Sequence, residues 1–153
     1  MKLPTGITGF WRPGRDPIPP SVPVHDFKAA CYEFARTHHG TITDFSGTPR
    51  IPRTYYYAKL NWDRKDWFIL CNTHYPYVAL APSLPDDGRV TFIDNEVFSG
   101  FFREHTAFDP LPGNVLNRTP KTEDLSDLSK AEHGEIKHWE PNTIGSIIFN
   151  FWD

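Results

Sequence analysis

The residues of this chain best suited to acid–base chemistry are seven histidines, namely His25, His38, His39, His74, His105, His133 and His138. His74 follows the apolar run that ends at Cys71, and Asp63 and Asp66 precede the same run. A histidine held beside a carboxylate is a common general base. One hypothesis is therefore a small enzyme or ligand-binding protein with a His/Asp site, although a histidine in a tight turn is usually structural.

No motif in the sequence specifies a reaction. Ser46-Gly47 and Ser99-Gly100 do not stand in the Gly-x-Ser-x-Gly frame that presents the nucleophile of many hydrolases. The glycines are scattered rather than gathered in a phosphate-binding loop, and the zinc-binding spacings His-Glu-x-x-His and Cys-x-x-Cys do not occur. The sequence therefore predicts no catalytic residue, no metal and no cofactor.

The composition is that of a folded protein with no electrostatic preference for nucleic acid. Its 153 residues suit a single globular domain with one core. The 16 basic and 19 acidic residues give a net charge of −3, whereas phosphate binding favours a basic surplus. The N-terminus lacks a signal-peptide core, and no apolar run approaches the roughly 20 residues that span a bilayer. We expect a cytoplasmic protein that binds neither nucleic acid nor membrane.

Two cysteines, Cys31 and Cys71, each lie in an apolar run. Free cysteine is among the most buried residue types, and disulfides are rare in the cytosol. We expect both to be buried free thiols, and a disulfide is the alternative.

Three antiparallel strands are predicted between residues 53 and 81, and the rest of the chain is organised around them. Aromatic and β-branched residues dominate this stretch, and turn-forming residues separate its runs. In the first strand, Tyr56, Ala58, Leu60 and Trp62 alternate with Tyr55, Tyr57, Lys59 and Asn61. Alternation places these two sets on opposite faces of the sheet. The apolar set is expected to be buried.

The second face of this strand is the surface that we predict for a protein partner. Tyrosine offers a large contact area at a small loss of side-chain entropy, and acidic residues in the following turn can meet basic groups. The predicted partner-binding residues are Tyr55, Tyr57, Lys59, Asn61, Asp63 and Asp66. The alternative is that a helix covers this face.

An acidic run near the C-terminal third is a second candidate contact, and the alternative for it is a solvated helix face. The run comprises Glu123, Asp124, Asp127 and Glu132.

Helices are predicted at residues 26–38, 94–104 and 143–152 from apolar residues at helical spacing. Asp26 and Asp94 are suited to cap the first two, and a strand is the alternative for the third. Residues 41–45 and 90–93 are expected to add strands, residues 122–133 a surface helix that ends at Gly134, and residues 135–139 an edge strand. The fold class is therefore α+β, a single domain with a mostly antiparallel sheet of about five strands and three or four helices packed mainly on one face.

The first 24 residues contain six prolines and are expected to form an arm without helix or central strand. Phe10 and Trp11 are expected to pin this arm to the domain. The alternative is a recognition arm with Trp11 as its anchor.

The C-terminal segment Trp139-x-Pro-x-Thr-x-Gly-x-Ile-Ile-Phe-Asn-x-Trp-Asp153 resembles the ends of small bacterial proteins of unassigned activity. The chain is also similar, in size, acidic balance and aromatic content, to the immunity proteins of bacterial toxin systems. That resemblance implies a protein that binds a cognate toxin and blocks it. A scaffold or other protein-binding module is the alternative.

Overall fold

The structure, a computed structural model, describes residues 1–47 and 53–152, in which one five-stranded sheet is surrounded by short and medium-length helices. The strands are β1 (Thr41–Ser46), β2 (Tyr55–Trp62), β3 (Lys65–Asn72), β4 (Tyr77–Ala81) and β5 (Asp109–Pro110). The helices are α1 (Val24–Thr37), α2 (Glu96–His105), α3 (Gly113–Leu116), α4 (Lys130–Trp139) and α5 (Ile144–Ile148), with a 3₁₀ helix at Thr122–Leu125. Gly47, Pro49 and Pro52 predict a loop at residues 47–52, most of which lies outside the described residues, as does Asp153.

The strands lie in the sheet in their order along the chain, β1-β2-β3-β4-β5. Neighbours from β1 to β4 are antiparallel, and the short β5 runs parallel to β4. The predicted α+β class and the mostly antiparallel sheet are therefore confirmed. Of the strand predicted at 90–93, Ile93 forms an isolated bridge with Leu80.

A two-residue turn of Asp63 and Arg64 joins β2 to β3. Both residues have positive φ, 51° and 63°, as expected for a turn whose twist matches that of the strands. The register pairs Trp62 with Lys65 beside the turn. β3 therefore begins earlier than the sequence predicted, and Asp66 lies in β3 rather than in the turn.

Helices α1 and α2 cover the first face of the sheet. Tyr56, Ala58 and Leu60 are buried there, as the alternation predicted. The rings of Phe34 in α1 and Phe101 in α2 pack edge to face at 5.4 Å between centroids. This contact holds the two helices together over the sheet.

The starts of these helices differ from the prediction. α1 begins two residues early, and its N-terminal flanking residue is Pro23, which has no side-chain cap. Asn95 rather than Asp94 caps α2, because its side chain accepts a hydrogen bond from the Phe98 N–H. Asp94 accepts instead from the Gly113 N–H at 2.8 Å, which fixes the start of α3.

The N-terminal arm, the short helices and the C-terminal tail lie on the second face. The sequence placed the helices mainly on one face, whereas here the short ones add a second layer. The arm is held by Leu3 and Ile7, which are fully buried. Of the two rings expected to pin it, Phe10 packs against Trp152 at 6.1 Å, but Trp11 is 36% exposed.

Buried amides join the arm and the tail to the sheet. The Asn72 side chain in β3 donates hydrogen bonds to the Ile7 carbonyl of the arm at 3.1 Å and to the Ile148 carbonyl of the tail at 2.7 Å. The Asn150 side chain donates to the Thr8 carbonyl at 3.0 Å. Each buried polar group thus finds a backbone partner, which removes the cost of desolvating it.

The tail helix is shorter than predicted, since α5 ends at Ile148 and the chain continues without helical structure. The physical reason is a competing set of hydrogen bonds. The Asn150 N–H donates to the Thr54 hydroxyl at 3.0 Å, and the Thr54 N–H donates to the Asn150 carbonyl at 3.1 Å. These bonds draw the tail along the sheet and out of the helix.

Helix α4 replaces the predicted edge strand at 135–139. Ser129 and Glu132 form a capping box that starts it, and this signal was overlooked in the sequence. Gly134, predicted to end a helix, lies exposed in the interior of α4 instead. An interior glycine costs about 1 kcal/mol relative to alanine, which a well-capped helix tolerates.

The thiols of Cys31 and Cys71 are free and fully buried in the core of the first face, as predicted. Burial raises the pKa of both thiols far above the usual value, which keeps them protonated and unreactive.

The tail should be essential to stability. Ile147 is fully buried on the second face, so Ile147→Ala is expected to lower the free energy of unfolding by about 2–5 kcal/mol in urea denaturation. Phe151 is 48% exposed and serves as the control, with an expected loss below about 1 kcal/mol for Phe151→Ala. Equal losses in the two variants would contradict the packing described here.

Asp124 predicts a pH-dependent contribution to stability. Hydrogen bonds from the Arg118 guanidinium hold the pKa of this buried carboxyl well below its usual range. Its ionised form therefore stabilises the fold above the unfolded-state pKa of about 3.9, and that stabilisation is lost as the pH falls towards the folded-state pKa.

We expect Asp124→Asn to cost about 1–3 kcal/mol at neutral pH, and the difference from the wild type to narrow as the pH falls from about 5 to about 2. Urea denaturation at each pH measures it. The control is the exposed Asp127→Asn, for which little difference is expected at any pH. A difference for Asp124→Asn that does not change with pH would refute the role of this ion pair.

Candidate functional site

The second face of β2 and β3 is covered at one end and open at the other. Burial falls along both strands towards the turn, and the residues at the covered end are buried. The side chains at the open end are half-buried or exposed, and we name them the open platform: Tyr57, Lys59, Asn61, Asp66 and Phe68. Four of the six residues predicted to bind a partner therefore lie in or next to an accessible surface on these strands, and Asp63 lies in the adjoining turn.

Tyr55 is the exception among the predicted contact residues, because it is buried. Its ring packs edge to face against Phe149 of the tail, at 6.5 Å between centroids. Burial raises the pKa of its hydroxyl. The end of β2 that holds Tyr55 is therefore covered by the tail, whereas the alternative drawn from the sequence was cover by a helix.

The open platform is ordered by contacts among its own side chains. The Tyr57 and Phe68 rings pack edge to face at 5.9 Å, and the Lys59 ammonium lies 5.8 Å from the centre of the Phe68 ring. The Asn61 amide donates to the Asp66 carboxylate at 3.2 Å. These contacts fix an aromatic centre with a polar margin.

Two residues at this surface were missed in the sequence. Phe68 pairs with Lys59 across the strands, and the Arg53 guanidinium lies 5.2 Å from the Tyr57 ring centre. The run from Trp67 to Cys71 is apolar at every position, so alternation does not indicate which face of this strand is accessible, and Phe68 was not recognised. A two-residue turn at Asp63 and Arg64 could have revealed the position of Phe68. Such a turn fixes the register between β2 and β3 and so places Phe68 opposite Lys59.

The turn itself projects from the end of the platform. Asp63 and Arg64 are exposed, and both hold a left-handed backbone that is unfavourable for residues other than glycine. Asp63 also borders a depression on the first face beside Trp62 and Trp67. The turn thus joins the surfaces of the two faces at one end of the sheet.

The predicted His/Asp site is not assembled. His74 lies just beyond the end of β3 that is far from the turn, and its ring Nδ1 is 2.8 Å from the Pro20 carbonyl of the arm. Asp66 lies at the other end of β3, roughly 20 Å away at the rise of an extended strand. His74 therefore tethers the arm, and no carboxylate of the turn orients it.

The second candidate contact, the acidic run, is divided between the interior and the surface. Glu132 is fully buried, and its carboxylate accepts hydrogen bonds from the Gly6 N–H at 2.9 Å and the Thr8 hydroxyl at 2.7 Å. Asp124 is also buried, whereas Glu123 and Asp127 are exposed. Half of this run therefore binds the protein's own arm and is not a contact surface.

Within residues 1–47 and 53–152, no three histidine, cysteine or acidic side chains are grouped so that they could hold a metal ion. Across the same residues, none of the helices has the length and apolarity needed to cross a membrane.

Comparisons with known proteins give no relatives: no family model, no curated protein and no solved structure matches this chain.

The division of this face predicts opposite outcomes for two variants on one strand. Tyr55→Ala removes a buried ring and should lower the free energy of unfolding by about 3–5 kcal/mol. Asn61→Ala, six residues along on the same face, should change it by less than about 0.5 kcal/mol. Thermal and chemical denaturation measure both, and comparable losses would show that the platform is not open.

Proposed function

We propose that this chain is an intracellular protein-binding inhibitor whose partner is a toxin domain that it neutralises by direct contact. The observation that most supports this is the open platform, where an aromatic centre and a polar margin lie uncovered on the central strands of the sheet. Protein interfaces favour this composition, with aromatic anchors at the centre and polar groups at the rim.

The rigidity of the platform favours binding. β2 and β3 each pair with neighbouring strands on both sides, and the platform side chains already contact one another. A partner that docks here orders little that is not ordered already. The entropic cost of association is therefore reduced.

The charges beside the platform favour a partner with basic groups. Asp63 and Asp66 are exposed at the turn end, and the chain as a whole carries a net charge of −3. Exposed carboxylates accelerate the encounter with a cationic surface and set its orientation. Lys59 and Arg64 add positive charge nearby, which would favour a partner surface of mixed rather than uniform sign.

The resemblance to immunity proteins is the basis for proposing a toxin and a cytoplasmic location. In the C-terminal segment, which resembles the ends of small bacterial proteins of unassigned activity, Ile147, Ile148, Asn150 and Trp152 are buried. These residues maintain the fold, so we carry no contact residue over from the resemblance. The choice of contact residues comes from the platform.

Co-expression tests this proposal. The open reading frames next to this gene are expressed singly in a bacterial host, and we expect one to arrest growth and this chain to restore it. Asp66→Lys in the platform should weaken binding to the purified toxin by about tenfold or more in calorimetric titration. Asp86→Lys, an exposed acid elsewhere with the same change in charge, is the matched control and should bind as the wild type does.

Two outcomes would overturn the proposal. If no neighbouring product is toxic and relieved by this chain, the inhibitor function is wrong. If a product binds without losing its activity, the chain is a scaffold rather than an inhibitor. If the Asp66→Lys and Asp86→Lys variants bind the toxin with equal affinity, the platform is not the contact site, although the inhibitor function still stands.

A further inference from the structure

A groove of about 680 Å³ runs between α1 and α2, on the outer side of the helices that cover the first face. It lies on the opposite side of the sheet from the open platform. Phe101 lies at its floor, between the rings of His38 at 5.9 Å and His105 at 5.4 Å between centroids. Val97 is 47% exposed beside it, so the groove offers apolar surface to solvent.

The rim of the groove is acidic. Glu33 of α1 and both Glu96 and Glu104 of α2 line it. Glu33 forms an ion pair with Arg36 of its own helix, whereas the described residues contain no salt bridge to Glu96 or Glu104. Apolar surface bordered by carboxylates is complementary to a segment with an apolar stripe and flanking lysine or arginine. The same charges disfavour nucleic acid and anionic membranes.

Gly100 leaves room for close approach of another backbone to this groove. It lies inside α2 on the groove side, four residues from both Glu96 and Glu104. A Cβ atom at this position would meet no atom within 4 Å, so the protein's own packing does not require glycine. Glycine inside a helix is destabilising relative to alanine, but it permits close approach of another backbone.

The walls of the groove favour a helical occupant. Both walls are α-helices, whose backbone groups are bonded internally away from their ends. An extended segment lying here would find few backbone partners for its own N–H and C=O groups, whereas a helix satisfies them itself. A helix seated between α1 and α2 would also pack side chains against both in the usual manner of helical layers.

We propose that the α1–α2 groove is a docking site for a basic amphipathic helix of a protein partner. This surface is distinct from the open platform and does not depend on the function proposed for it. Gly100 marks the point of closest approach, Val97 supplies exposed apolar surface beside the buried Phe101 ring, and the three glutamates pair with the cationic flanks.

Three synthetic peptides of about 18 residues test this, a length that forms about five helical turns. The first is an amphipathic helix of leucine, alanine and lysine. The second replaces its lysines with glutamate, and the third keeps the lysines but carries a central proline that breaks the helix. Isotope-labelled protein is titrated with each peptide, and backbone amide shifts report both the affinity and the site.

We expect the cationic helix to bind about tenfold more tightly than either control peptide, with shifts concentrated in α1 and α2. Gly100→Ala should weaken binding about fivefold or more while raising the melting temperature. Gly134→Ala is the matched control, because a Cβ there also meets no atom within 4 Å but the residue lies in α4. It should raise stability in the same way and leave peptide affinity unchanged. Glu104→Lys should weaken binding, and Asp86→Lys, which makes the same charge change at an exposed acid outside the groove, should not.

The proposal is overturned if the three peptides bind equally, if the shifts lie outside α1 and α2, or if Gly100→Ala binds as tightly as the wild type. Equal weakening by Glu104→Lys and Asp86→Lys would likewise overturn it, because it would reveal attraction to net charge rather than to this groove.

Discussion

The buried amides of Asn72 and Asn150 are the interaction on which the second face of this fold depends. Each side chain donates to backbone carbonyls of segments that are remote in sequence, and Thr54 completes the set beside them. A half-satisfied network of this kind would be costly in the interior, so the arm and the tail must be in place together. Because the network lies at one end of the sheet, the cover that it holds stops short of the turn. The open platform is the part of the face that remains.

Much of the fold could be predicted from local patterns. The alternation of apolar and polar residues in β2, and the apolar residues spaced three or four apart in α1 and α2, are visible from neighbouring positions alone. Tyr56, Ala58 and Leu60 were placed correctly on that basis. Helix ends were less predictable, because they depend on which of several nearby polar groups forms a hydrogen bond with the backbone there. Asn95 rather than Asp94 caps α2, and the two hydrogen bonds between Asn150 and Thr54 end the tail helix early.

The candidate site shows the same limit. Alternation placed Tyr55 and Asn61 on one face, but no local pattern distinguishes the covered end of that face from the open one. The distinction depends on where the tail lies, and the tail is fixed by a contact between residues 72 and 148 that are far apart in sequence. The prediction that the acidic run forms a contact surface was partly wrong for a related reason. Glu132 resembles a surface acid in sequence but is buried, because backbone N–H groups of the arm surround it.

The hydrogen bond from Asn150 to the Thr8 carbonyl joins positions 142 residues apart, and this separation has a consequence for biosynthesis. At about 5–20 residues per second, the arm emerges roughly 10–30 s before its partner in the tail has been made. The helices and strands of the first face are complete before then and have mostly shorter connections to close. Leu3 and Ile7 meanwhile have no tail to pack with, so these apolar side chains stay uncovered until residues 144–152 have been made. Synthesis of that segment, rather than pairing within the sheet, sets the moment at which Leu3 and Ile7 are sequestered.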